Sequence, residues 1–536
     1  MNNNNLNVAL AQRGLYEGLN PTVTLFSKLI IVSLVVYAAV YPEMAVDFLG
    51  GINSFLLANF NSYYIYAVSF MLIFCAFVSC SRFGRIKLGR DNEVAEFSFF
   101  SWFAMLFSAG MGIGLMFYSI GEPLYHFQNN PDIISGVVAG ASAETVPSAM
   151  RYTLLHWGLH AWGVYIAAGL AMAYFAYRHN LPLTIRSTLY PLFGERLNGH
   201  LGHLVDVIAV VATILGVAST VGTGVSQLVS GIESISGAGL LLDADGKPTN
   251  VALVLVLALI MALSILSAVT GVKRGVKWLS HINMYLSFAL LGVFVLFGST
   301  LYALKLFGSS LLDYTASLPS LSFSVWDKDS ELGQWQTGWT ILYWAWWIAF
   351  APFVGLFLAR ISRGRTIREF VLGGILVPTL MCFIWMAFLG GTALDMETSG
   401  QAAGVITETV NSNIGASLFV TIEQLDLGLL GRLAAIASVI LIVTYLVTSA
   451  DSGVLVLNTI MAGGNADPAT RHRVIWGLAL TFVTGSLMLA GGLTAIQKAM
   501  IIGALPFSLV MLLMCLSMLK ALLSSPSEVA ISVTGR

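Results

Sequence analysis

Apolar residues run along this chain in long continuous blocks separated by shorter polar connections, instead of alternating with polar residues. A bilayer core of about 30 Å needs about 20 apolar residues at 1.5 Å rise per residue. Windows of that length fall at 24–45, 60–81, 98–121, 152–177, 204–232, 250–270, 280–304, 337–359, 370–394, 432–461, 473–494 and 500–523, here spans 1 to 12. Blocks this long predict helices, because barrel strands would alternate over about ten residues. The expectation is an all-α membrane protein with twelve transmembrane helices. It is organised as a cytoplasmic N-terminus over 1–23, a twelve-helix domain over 24–523 and a short cytoplasmic tail over 524–536. Met1 to Asn20 lack the basic, apolar, small-residue order of a cleaved signal, so the first block stays as a span.

Composition agrees. Hydrophobic residues make up 57% of the 536 and charged residues only 10%, against about 25% charged in a soluble domain. The 26 Lys+Arg and 27 Asp+Glu leave a net charge of −1, so no global field attracts nucleic acid. Their distribution is uneven: twenty of the Lys+Arg fall on the side of the termini and six on the other. That bias puts both termini in the cytoplasm. Cys75, Cys80, Cys382 and Cys515 sit within apolar stretches and read as small hydrophobes.

Two spans carry signs of interruption. Span 3 holds Ser108-Ala109-Gly110-Met111-Gly112-Ile113-Gly114, and span 10 holds Thr448-Ser449-Ala450-Asp451-Ser452-Gly453. Glycine weakens a helix by about 1 kcal/mol relative to alanine, and an unwound turn frees N–H groups for a carboxylate and carbonyls for a sodium ion. Close packing of small residues is the plainer alternative. In span 10 the hydroxyls of Thr448 and Ser449 are hard ligands suited to sodium, while Asp451 is read as a cap or a partner for a neighbouring helix. A repeat pairing spans 3–7 with spans 8–12 would match span 3 with span 8 and span 5 with span 10.

The remaining signal is aromatic. At about 100° per residue Trp157, Trp162 and Tyr165 share half of span 4, and Tyr343, Trp346, Trp347 and Phe350 fall within an arc of about 100° in span 8. Two such faces can meet across a cavity. A quaternary ammonium has no N–H to donate, but aromatic faces attract it at about 0.5–2 kcal/mol each. Interface-belt or lipid-facing packing is the alternative. His156 and His160 have the i, i+4 spacing of a metal pair but no acid between them, and on the same projection they point away from the aromatic arc. No intramembrane His, Asp and Glu cluster forms an evident catalytic or metal set, so an enzyme is disfavoured, as is a channel. Pro352 predicts a kink after the aromatic face of span 8, and the run Arg360 to Arg368 reads as a cytoplasmic anchor or an inner gate.

Together these residues resemble the betaine/carnitine/choline transporter family over nearly the whole chain. The most specific stretch runs from Trp344-Ala345-Trp346-Trp347 through Ala351-Pro352-Phe353-Val354-Gly355 to Arg360-Ile361-Ser362-Arg363-Gly364-Arg365. Gly110 to Gly114 and His156-Trp157-Gly158 with Trp162 and Tyr165 support it. The resemblance implies two inverted five-helix repeats, helices 3–7 and 8–12, preceded by two helices, usually as a homotrimer in the bacterial cytoplasmic (inner) membrane. It makes Trp157, Trp162, Tyr165 and Trp347, with Trp346 and Phe350 beside them, an aromatic box for a trimethylammonium group. Gly110, Met111 and Gly112 would lie near the carboxylate. Phe350 stands where betaine carriers commonly have Trp, and Gly114 where choline-suited members tend to have Asp; with no acid there to balance a net cation, a zwitterion is favoured.

Ser108, Met111, Leu446, Thr448 and Ser449 match a sodium site between helices 3 and 10. Thr213 resembles part of a second, which Val217 one turn later weakens. Met284 stands where sodium-independent exchangers carry Arg. The implied function is sodium-coupled secondary active uptake of glycine betaine or dimethylsulfoniopropionate by alternating access, with no cofactor beyond the coupling ion. Proton-coupled choline transport and sodium-independent exchange are the alternatives.

Overall fold

A computed structural model describes residues 6–110, 112–269 and 273–524. Among them there is no strand, only isolated bridges. The principal helices are α1 (Pro21–Val40), α2 (Pro42–Cys80), α3 (Phe99–Gly110), α4 (Ile113–Gln128), α5 (Val146–Trp157), α6 (Leu159–Ala173) and α7 (His200–Ser236). They are followed by α8 (Asn250–Val269), α9 (Lys273–Phe297), α10 (Thr300–Phe323), α11 (Leu342–Ile361), α12 (Ile367–Thr398), α13 (Leu429–Met461) and α14 (Thr470–Ser524). Nine helices among the described residues are long and apolar enough to cross a membrane, or ten with one bent pair counted as a span. This is a nearly all-helical membrane protein.

Local chemistry sets the starts. Asn20 caps α1 by accepting the Val23 N–H at 2.9 Å, with Pro21 at the first helical position, where its missing N–H costs nothing. Thr366 and Glu369 form a reciprocal capping box at the head of α12. α1 and α8 turn Phe26, Leu29, Leu255 and Leu259 outward, an apolar surface that lipid covers. α6, α7 and α11, by contrast, are buried nearly all round and form the centre.

Several spans differ from the sequence pattern. Span 1 stops at Val40, and the chain re-enters a helix at Pro42, whose ring cannot continue the preceding ladder. Span 4 divides at Gly158, where φ −95° and ψ −143° leave the helical region, so one continuous projection does not describe its side chains. Span 7 ends at Phe297, and α10 leaves it at 107°. Span 10 is not interrupted: α13 runs from Leu429 to Met461 without a break, and Thr448 bonds back to the Thr444 carbonyl at 2.9 Å in the ordinary way of a helical threonine. Spans 11 and 12 meet at Gly491 and Gly492, the latter at φ +65°.

Span 3 is broken as its glycines predict. α3 ends at Gly110, Gly112 is extended and α4 starts at Ile113; Met111 lies outside the described residues.

An aromatic cavity as candidate functional site

Two helix breaks and four further helices build a cavity of about 330 Å³. The α3–α4 break contributes Gly112, Ile113 and Gly114. The α5–α6 break contributes Trp157, Ala161, Trp162 and Tyr165, and α11 contributes Trp346, Trp347, Phe350 and Phe353. From α13 come Tyr445, Thr448, Ser449 and Ser452, from α7 Thr220 and from α9 Asn283. The lining continues along α11 through Phe357 to Arg360 at its C-terminal end.

The rings are arranged face and edge. Trp346 and Trp347 stack at 5.3 Å with planes 6° apart. Trp157 and Tyr165 both stand edge-on to Trp347, at 5.2 Å and 5.9 Å, while Trp162 lies 5.5 Å from Tyr165. Each of three tryptophans gives its indole N–H to a protein acceptor. Trp157 donates to Glu122 Oε2 at 2.7 Å, Trp346 to Thr220 Oγ1 at 3.2 Å and Trp347 to the His156 carbonyl at 3.0 Å. That carbonyl sits in the last turn before the Gly158 break, where helix carbonyls lack an intrahelical partner. Gly158 itself is tightly enclosed: a Cβ there would lie 2.5 Å from the Leu154 carbonyl and 2.6 Å from the Tyr314 hydroxyl. With these polar edges satisfied, the indoles line the cavity as aromatic surface, which suits an onium cation.

Of the expected substrate residues, Trp157, Trp162, Tyr165, Trp346, Trp347, Phe350 and Gly112 line this one cavity. Gly110 ends α3 beside it, and Met111 lies outside the described residues. Among the expected ion ligands, Thr448 and Ser449 face the cavity, Thr448 taking a 3.4 Å contact from Asn283 Nδ2. Leu446 is fully buried against Gly224. Thr213 is fully buried outside the cavity lining, its hydroxyl donated to the Ala209 carbonyl at 2.6 Å. The Ser108 side chain is outside the described set. Asp451 accepts from Ser267 of α8 at 3.0 Å, the neighbouring-helix partner that its reading allowed.

The histidines depart from expectation. His160 bonds Ser322 at 2.9 Å and stacks on Trp344, whereas His156 reaches Glu122, so the i, i+4 pair does not act together. Glu122, His126 and His156 form a fully buried cluster with ligand atoms within 4.8 Å of one another. This corrects the reading that no such intramembrane cluster exists. Span 3, drawn to residue 121, stops one residue short of the acid, and the Glu122/His126 spacing of four is the signal that would have found it. Thr220, Asn283 and Tyr445 were also not anticipated; single polar residues in apolar helices carry no pattern that says which way they face.

Comparison with known proteins matches the same whole-chain region. The family description "BCCT, betaine/carnitine/choline family transporter" fits residues 22–527. A glycine betaine transporter of Acinetobacter baylyi is 38% identical over 511 residues, covering 95% of this chain and 74% of that protein. A glycine betaine transporter of Bacillus subtilis is 37% identical over 508 residues, covering 93% and 94%. A glycine betaine/proline/choline transporter of Vibrio parahaemolyticus is 36% identical over 532 residues, covering 97% and 93%. The chain belongs to the betaine/carnitine/choline transporter family.

Proposed function

We propose that this protein is a sodium-coupled symporter that accumulates a small methylated zwitterion, glycine betaine or its sulfonium analogue dimethylsulfoniopropionate, by alternating access. The observation that carries the reading is the set of aromatic rings around one cavity, with the indole N–H groups of Trp157, Trp346 and Trp347 taken up by protein acceptors. A head group without N–H donors finds there the attraction that hydrogen bonds cannot supply. The extended backbone at Gly112 supports a carboxylate contact at the other end of the substrate. Relatives named as glycine betaine transporters support the substrate class.

Thr448 and Ser449, with Ser108, Met111 and Leu446, are the proposed sodium ligands, and Thr213 belongs to a proposed second site. No bond is made or broken. The reading includes twelve spans as two inverted repeats, 3–7 and 8–12, after two leading helices. It also includes both termini in the cytoplasm, residence in the bacterial inner membrane and assembly as a homotrimer.

The test is Trp347→Ala in correctly inserted protein. Loss of one cation–π face and its burial weakens glycine betaine binding by about 1–3 kcal/mol, read by titration of the purified transporter. Unchanged affinity overturns the box.

A further inference from the structure

The acid behind the cage is not accounted for by substrate or ion binding as proposed. Glu122 is fully buried, yet its carboxylate receives four donors. Oε1 is 2.6 Å from His156 Nδ1 and 3.3 Å from His126 Nε2, and Oε2 accepts the Trp157 indole N–H at 2.7 Å and the Tyr343 hydroxyl. His156 Nδ1 faces Glu122, and its Nε2 lies 3.1 Å from Thr340 Oγ1. His126 Nε2 faces the same oxygen, and its Nδ1 is buried with no hydrogen bond of good geometry among the described residues. All four contacts to Glu122 come from groups able to donate, the arrangement that an ionised carboxylate accepts. Four donors on one carboxylate also meet its hydrogen-bonding capacity without a metal ion.

We propose that Glu122 is the buried counter-charge and positioning residue of the aromatic cage. It acts through Trp157. One side of that indole touches the carboxylate and the other lines the cavity, with Trp347 5.2 Å away. Accepting the N–H fixes the ring's rotation and pushes electron density toward its π face. The negative charge behind the ring adds a Coulomb attraction for any cation in front of it. Tyr343 is held by the same carboxylate, and its ring packs 5.6 Å from Trp157 and 5.7 Å from Trp347, so the acid braces two sides of the cage. The consequence concerns specificity: the cage reads charge as well as shape.

This inference rests on the cage being the substrate site, and the experiment separates the two. Glycine betaine and 3,3-dimethylbutanoate share a carboxylate and a three-methyl head, but only the first head is charged. Both are titrated into purified wild type, Glu122→Gln and Trp347→Ala. Wild type prefers glycine betaine by about tenfold or more. In Glu122→Gln the preference falls to within about threefold, because betaine weakens and the neutral isostere does not. Equal weakening of both ligands would reduce Glu122 to a structural role, and an intact preference would remove it altogether; either overturns the proposal. If Trp347→Ala leaves betaine binding unchanged, the cage reading fails instead. Should Glu122→Gln not fold, Trp157→Phe breaks the same hydrogen bond from the ring side while keeping a π face. It narrows the preference in the same direction, and its failure to do so overturns the proposal.

Discussion

Gly114 holds two cage tryptophans closer than a side chain would allow. A Cβ at this position would lie 2.9 Å from Trp157 Cη2 and 3.1 Å from Trp346 Cη2, so any larger residue moves at least one indole. The site is in the first turn of α4, where backbone angles are helical and alanine is the better helix former by about 1 kcal/mol. Gly114→Ala therefore separates function from fold. Thermal stability holds or rises, while glycine betaine affinity falls about three- to tenfold as the rings shift by a few tenths of an ångström; a thermal ramp and a titration on one preparation check both. An unaltered dissociation constant would mean that the rings yield freely and that the cage is less rigid than its hydrogen bonds imply. The two faces of the cage were legible in the sequence because aromatic residues at helical spacing are conspicuous. Glu122 was not. An acid is informative only when its surroundings are known, and nothing in Gly121-Glu122-Pro123 says that Tyr343 and His156, far along the chain, converge on it.

The helices show where sequence pattern is strong and where it fails. Hydropathy finds apolar blocks well, since each must match the bilayer, but it is blind to a break that leaves both halves apolar. The division at Gly158 is of this kind: it places Trp157 on one helix and Trp162 and Tyr165 on the next, yet all three still line one cavity. α10 was missed because its serines and charges lower its hydropathy, although it forms a 24-residue helix whose Asp313 pairs with Arg151 at 2.6 Å. The arginine run has a clearer role as an element than as a list of charges. Residues 86–97 cross it as a strap: Leu88 N donates to the Arg365 carbonyl and Gly364 N to the Leu88 carbonyl, both at 2.8 Å. Arg363 pairs with Glu93 at 2.5 Å, and Arg365 reaches the Phe97 carbonyl at 2.8 Å.

Gly364 is the pivot of that crossing. Its φ is +82°, and a Cβ would lie 2.6 Å from the Val94 carbonyl oxygen. Gly364→Ala combines a left-handed conformation costing about 1 kcal/mol with a backbone overlap that separates strap from loop. The expected result is a melting temperature lower by several degrees and faster proteolysis within residues 86–97, with the cage's betaine affinity little changed in the surviving folded fraction. Cleavage at the wild-type rate would show that the strap is held by its ion pairs alone.

At the scale of the whole molecule, the number of coupling ions limits the gradient that the transporter can build. Each sodium entering down about 100 mV contributes about 2.3 kcal/mol, and a tenfold concentration ratio about 1.4 more. One ion supports accumulation of several hundred-fold for a neutral substrate, and two support about 10⁵-fold. The two proposed ion sites are not equally placed. Thr448 and Ser449 line the cavity beside the cage, whereas Thr213 is outside the lining and the Val217 side chain one turn on offers no oxygen. On the proposed sodium-coupled reading, coupling through the one ion beside the cage is the expectation to test. In proteoliposomes with about 100 mV and a tenfold sodium gradient imposed, glycine betaine should level off at several hundred-fold. Thr448→Ala combined with Ser449→Ala should raise the sodium concentration for half-maximal uptake, while Thr213→Ala should leave it unchanged. A plateau near 10⁵ together with a shifted sodium curve for Thr213→Ala would establish a second ion at that helix. Accumulation indifferent to sodium would move the driving force to protons or to exchange, leaving the aromatic cavity as the binding site of a differently powered carrier.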